Sequence, residues 1–299
     1  MKRFILSHKR KKSESSGGSG PLLSDLVSLG ILTKPIAEFS NSDIGTTVLI
    51  PYTDSSGKIL LNDGNIEFEV VGVNHHTSAA HQQTITLMTK NIIRNVAFDV
   101  AEPNNPLRDP AWENGMMRAS GGNNRWSVSN IRQWLNSSGA ANSWFKPQHD
   151  YDEAPTSGNV YNAGGAYADA PGFLAGFGVD VLQHFTDITN ITALPNVDRV
   201  GSETSETTVD KVFLPSYTEM TGYNNEGVAE GVHLSGKYSS GDKESASRVK
   251  SGTDSRIYWM RSPAYIDSFK LWCVYPDGSC IADAAYGCNT GIAPIIVLH

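Results

Sequence analysis

The tightest constraint on this chain is a turn. Pro276-Asp277-Gly278 interrupts the β-rich run "FKLWCVYPDGSCIAD". Proline presets φ, glycine takes the left-handed position, and the flanking apolar residues read as two paired strands. A hairpin there pairs Tyr275 with Ser279 or with Cys280. In the first register Cys273 and Cys280 face opposite sides; in the second they are diagonal neighbours, and neither geometry favours a disulfide. Two further β-rich runs, "RIYWMRSP" before the hairpin and "GIAPIIVLH" after it, make the whole C-terminal segment β.

Upstream, "TTVLIPY" and "IEFEVVGVNHH" flank the turn-rich "TDSSGKILLNDGN" and predict a hairpin, which "TITLMTKNII" continues. The leucines of "PLLSDLVSLGIL" (21–32) fall near helical spacing with Gly30 as a stop, giving a short amphipathic helix or an extended clip. The clearest helix lies in 125–145. Ser127 or Ser129 caps it, and Ile131, Trp134 and Leu135 share a face. Residues 147–210 lack periodicity apart from "GFGVDVLQHF" and read as loops on a rigid scaffold. "KVFLPSYTEM" reads as a strand leading into a short helix, and the stretch after it is again loop-like. The expected fold is α+β, with mixed small sheets, one or two helices and long ordered loops over 45–299. A connecting helix or clip (21–44) and an arm (1–20) precede it.

A chain of 299 residues that is 39% hydrophobic can bury a full core. Its 24 basic and 31 acidic residues leave a net charge of −7, which repels a phosphate backbone and argues against specific nucleic-acid binding. No apolar run is long enough to span a bilayer, and "FILSH" is too short for a signal-peptide core, so a chain made in the cytoplasm without membrane contact is expected. Lys2, Arg3, Lys9, Arg10, Lys11 and Lys12 form a basic arm followed by the linker-like "SESSGGSG". Such an arm is either a solvated tail or a device for docking onto an acidic partner.

Catalytic signatures are not found. The chain has no nucleophile elbow, zinc-helix motif, phosphate loop or dinucleotide fingerprint. Its three cysteines lack CxxC spacing, and "DYDE" (150–153), without calcium-loop spacing, reads as a solvated acidic loop. His75, His76 and His81 read as exposed loop histidines rather than a metal site. No catalytic residue, cofactor or metal is expected. Tyr161 and Tyr167 join Tyr223, Tyr238, Tyr265 and Tyr286 in loop-like sequence, a composition that suits an adaptable binding face. The candidate surface is Tyr223, Tyr238, Tyr265, Tyr286, Asp267 and Asn289.

Five stretches in order, "RWSVSNIRQWLN", "DKVFLPSYTEM", "YWMRSP", the "VYPDGS" turn and "GIAPIIVL", carry a family likeness. Over about 45–299 the chain resembles an uncharacterised domain of Gram-positive bacteria and their phages. That domain is similar to the C-type-lectin-like fold, also used by formylglycine-generating enzymes and by variable receptor-binding proteins of phages. Its signature falls here on Trp126, Arg132, Trp134, Trp259, Arg261 and Gly278. Gly291-Ile292-Ala293-Pro294 departs from the family's Gly-Val-Arg-Pro by lacking the arginine.

The resemblance implies a C-type-lectin-like fold with Trp259 in the core and Arg261 tied to backbone carbonyls or a buried acid. It also implies that a strand at 46–50 lies near the terminal strand at 292–298. In function it implies a phage virion protein, a capsid decoration or head fibre or a tail or baseplate receptor-binding protein, anchored by its arm. Its partners would be other virion proteins, further copies of itself on the particle and a host-surface glycan or protein, with assembly in the host cytoplasm. A bacterial surface or secreted binding module is the alternative. A formylglycine-type oxidase with copper between Cys273 and Cys280 is a third.

Overall fold

The computed structural model describes residues 25–107, 118–252, 256–264 and 267–299; the basic arm and Tyr265 lie outside them. In chain order the regular elements are β1 (Thr47–Pro51), β2 (Asn65–Val73), β3 (Ile85–Thr89), β4 (Arg94–Asn95), α1 (Arg118–Gly121), α2 (Asn130–Leu135), α3 (Val179–Leu182), β5 (Ile188–Ala193), β6 (Ser205–Asp210), β7 (Val212–Phe213), α4 (Tyr217–Thr221), β8 (Ile257–Pro263), β9 (Lys270–Val274), β10 (Cys280–Ala284), β11 (Thr290–Ile292) and β12 (Ile295–Leu298). The fold is α+β, built mostly from small sheets with a few one- or two-turn helices.

Alternation sets the first hairpin. Val48 and Ile50 on β1, with Ile66, Phe68 and Val70 on β2, turn inward, while Thr47, Leu49 and Pro51 are exposed and Asn65, Glu67 and Glu69 half-buried. Asp63 and Gly64, both in the left-handed region at φ 46° and 76°, make the tight turn from Asn62 to Asn65 that leads into β2. A register shift between Val70 and Gly72 bends β2 where it meets β3. β3 and β12 are buried along their whole lengths and form the middle of a five-stranded sheet ordered β1-β2-β3-β12-β7. The strand at 47–51 thus shares a sheet with the terminal strand, with β2 and β3 between them.

The second sheet runs β10-β9-β8-β11-β4, antiparallel except for β8 against β11. Its outer hairpin takes the first of the two expected registers: Tyr275 N donates to Ser279 O at 2.9 Å, and Cys280 pairs with Val274. Gly278 sits at φ 81°, where a Cβ would stand 1.9 Å from Ser245 O, so only glycine fits. One apolar cluster runs through both sheets, from Val48 and Ile50 to Trp259 and Leu271.

The stretch 25–32, expected as a short helix or an extended clip, is one hydrogen-bonded turn ending at Gly30 (φ 71°), with Leu26, Ile31 and Leu32 buried. The helix expected within 125–145 is the six-residue α2. Ser129 caps its start, accepting from Arg132 N, and the Asn136 amide caps Arg132 O at 3.0 Å, ending it. Residues 147–210 are not all loop, because β5 and β6 pair in full register as a two-stranded ribbon. The inward face of that ribbon is Ile188 with the polar Asn190, Thr192, Thr208 and Asp210, so a mostly polar lining hides the alternation that marks a strand.

Candidate ligand-binding cleft

The signature residues build a buried polar network. β8 leaves its ladder between Trp259 and Pro263, and this irregularity turns Arg261 and Ser262 toward α4. Arg261 forks onto Glu219 (Nη1–Oε2 2.8 Å, Nη2–Oε1 2.9 Å) and donates to Leu214 O and Glu230 O. Glu219 also closes the capping box of α4 with Ser216 and meets His76 Nε2 at 3.0 Å. Burial works to raise the Glu219 pKa, but the Arg261 charge and the hydrogen bonds of His76 and Arg261 more than reverse it, holding the carboxyl well below the usual range. Glu230, fully buried, is pushed up to about 6 by burial even though Ser262, Ala193 N and Asn225 bond to it.

The other signature positions are structural as well. Trp259 is buried and donates to Val96 O at 2.9 Å, and Trp134 donates to Pro171 O at 2.8 Å. Trp126 and Arg132 both bond to Asp210, a buried hub that also receives Asn190 and Thr208.

The predicted tyrosine face divides. Tyr223 is exposed, Tyr286 is half-buried with its ring 5.5 Å from that of exposed Tyr161, and Asn289 is exposed. Tyr238 is not on the surface. It packs in the core with its hydroxyl 3.1 Å from Met88 Sδ. Asp267 is buried too, 3.4 Å from Lys270, while its backbone carbonyl accepts from Asn124. Loops long enough to fold over the core bury their own side chains, so neither residue belongs to the expected surface. Tyr265 lies outside the described residues. His76 is likewise no exposed histidine, since Thr86 and Glu219 take both of its ring nitrogens.

Sequence reasoning missed a cleft of about 350 Å³ that opens where four chain segments meet, lined by Asn105, Arg118, Asn123, His149, Tyr151 and Asp198 among others. Arg118 donates to Ser268 O at 3.1 Å and forks onto Asp198, with Nη1 3.0 Å from Oδ1. Buried Glu102 gathers Asn105, Asn123 (3.3 Å) and His149 Nε2 (3.3 Å). Burial pushes Glu102 up and His149 down, each toward its neutral form. Asp152 is buried and not solvated: it accepts from Asn130 Nδ2 and Gln148 N, both at 2.8 Å. Perturbed groups converging on a cleft mark a candidate site. Arg118 is paired with Asp198 and Arg125 with Glu206, while exposed Asp150 makes no ion pair among the described residues, so the cleft offers hydrogen bonds and carries no free cation. Among the described residues no group of three histidine, cysteine or acidic side chains is arranged to hold a metal ion.

A scan of protein families matches residues 82–299 to a domain of unknown function, DUF6273. The chain belongs to that family. The DUF6273 match takes in the whole cleft and every member of the polar network except His76, while β1 and β2 lie before it. No curated protein and no solved structure matches the chain. No helix among the described residues is long and apolar enough to cross a membrane.

Proposed function

We propose that this DUF6273 chain is a C-type-lectin-like binding module displayed on the virion of a phage of a Gram-positive host and held there by its basic arm. The observation that carries the reading is a division of labour. Strands and signature residues form a densely bonded scaffold, while loops fixed to it present the polar cleft and the exposed Tyr161, Tyr223, Tyr286 and Asn289. Loops on a rigid scaffold suit recognition. With both arginines of the cleft paired and exposed Asp150 disfavouring an anion, the cleft suits a hydroxyl-rich neutral ligand, as a host-surface glycan would be. Capsid and tail positions both accommodate such a module, in several copies per particle, assembled in the host cytoplasm. A bacterial surface module would use the same face. Copper chemistry at Cys273 and Cys280 is disfavoured, since the register turns them to opposite sides of their hairpin and burial pushes the Cys280 thiol up to about 11.

Anchoring should be separable from folding. A chain lacking residues 1–20 should melt at the same temperature as the full chain but fail to co-sediment with particles that lack the protein. Neutralising Lys2, Arg3, Lys9, Arg10, Lys11 and Lys12 should weaken attachment most at low salt, where screening is least. A truncated chain that decorates particles at full occupancy would place the contact in the globular domain instead.

A further inference from the structure

A second cleft, of about 420 Å³, lies beside α2, bounded by the stretch from Ser137 to Gln148. We infer that it binds the anionic end of a hydroxyl-bearing ligand, a sugar or polyol carrying a carboxylate or a phosphate. This goes beyond the reading above, because neither the arm nor the cleft at Arg118 enters it.

Charge comes first. In a chain of net charge −7, this cleft is lined by Arg132 and Lys146 and, among the described residues, by no acidic side chain. Arg132 directs Nε to Asp210 at 2.6 Å and Nη1 to Ser127 O at 2.9 Å, leaving Nη2 only a long contact of 3.4 Å with Val209 O. Asp210 is buried and shared by three further donors, so its charge is turned inward. Lys146 is exposed, and its ammonium makes no ion pair among the described residues.

The walls are fixed before any ligand arrives. The Gln133 amide is locked to Lys146, donating to its carbonyl at 2.9 Å and accepting from its N–H, and Gln148 donates to the same carbonyl at 2.8 Å. Ser137 Oγ accepts from Gly139 N at 3.0 Å and keeps its own proton to donate. Ser143 Oγ donates to Ala140 O at 2.8 Å and keeps its lone pairs. Trp144, stacked on Tyr167 at 5.6 Å, completes the lining, and its buried indole N–H has no acceptor among the described residues. The polar groups left over are a cation, a hydroxyl donor and a hydroxyl acceptor on a preorganised wall. That set is complementary to an acidic group next to hydroxyls.

Titration calorimetry of the full chain with glucuronate, glucose 6-phosphate, glucose and inorganic phosphate tests the proposal. Both acidic sugars should bind at least about tenfold more tightly than glucose, and the tighter of the two tells whether carboxylate or phosphate is the natural group. Lys146→Glu should lower their affinity by about tenfold or more at an unchanged melting temperature, while Lys58→Gln, on another surface, should leave it unaltered. Glucose binding as well as the acidic sugars, no saturable binding of either acidic sugar, or an unaffected Lys146→Glu variant would overturn the assignment. Phosphate binding as tightly as glucose 6-phosphate would overturn it too, since the hydroxyl contacts would then contribute nothing.

Discussion

Arg261→Met should cost about 3–5 kcal/mol of folding stability, measured by urea unfolding at neutral pH. The loss comes from what the change leaves behind more than from the bond it removes. Arg261 and Glu219 are each 1% exposed, and Arg261 supplies two of the hydrogen bonds that hold the Glu219 carboxylate ionised in the core. Without the guanidinium, Glu219 keeps His76 and the Ser216 N–H, while Leu214 O and Glu230 O each lose a donor. Adding Glu219→Gln to Arg261→Met should recover part of the loss, because it removes the stranded charge. The pH dependence has a definite sign. In the folded wild type Glu219 lies below its ordinary value of 4.5, so its contribution is fully present above that pH and fades as pH falls toward the depressed folded value. The gap between variant and wild type should therefore shrink in acid. A gap that is constant from neutral to acid pH would mean that the ion pair does not carry the effect.

The parts of this molecule that could be read from sequence are those where one local rule acts alone. The alternation of β1 and β2, the Pro276-Asp277-Gly278 turn and the Ser129 cap each follow from a few neighbouring residues, and all three form as expected. The β5–β6 ribbon escaped because its buried face is mostly polar: Asn190 and Thr208 donate to Asp210, which Trp126 and Arg132 also reach from a distant segment. The cleft at Arg118 escaped for a related reason. Glu102, Arg118, His149 and Asp198 are far apart in the chain, and no spacing rule links residues joined only by loop packing. Tyr238 and Asp267 show the reverse case, in which polar neighbours in sequence do not mean exposure because the loop itself folds inward. The family resemblance, rather than any local rule, implies that Arg261 is structural and tied to backbone carbonyls or a buried acid. Here it has both.

Lys250→Met should stabilise the protein by about 1–3 kcal/mol at pH 7 and flatten its stability profile between pH 7 and pH 9. Lys250 is 6% exposed, and its Nζ donates to Thr89 O at 2.6 Å with no ion pair to a carboxylate among the described residues. Glu69, an acid whose charge acts on it, is already paired with Lys237 at 2.5 Å. Burial therefore dominates and lowers the Lys250 pKa from 10.5 to about 7, with Glu69 opposing and Lys237 reinforcing the shift. Between those two values the unfolded chain holds a proton that the folded chain does not. Stability must then rise with pH across the window, by at most about 1.4 kcal/mol per unit. Above it the buried tyrosines, whose raised pKa values favour the folded state only while they stay protonated, turn the profile down again. Methionine fills the same channel without a charge, so the variant gains most where the wild-type amine is forced to be charged, at and below neutral pH. The lost bond to Thr89 O keeps the gain small. Urea titrations of both proteins at pH 6, 7, 8 and 9 decide the matter. A wild-type profile that is flat over this range would show that the buried ammonium stays charged and that the carbonyls of Thr89 and Lys90 suffice to hold it there.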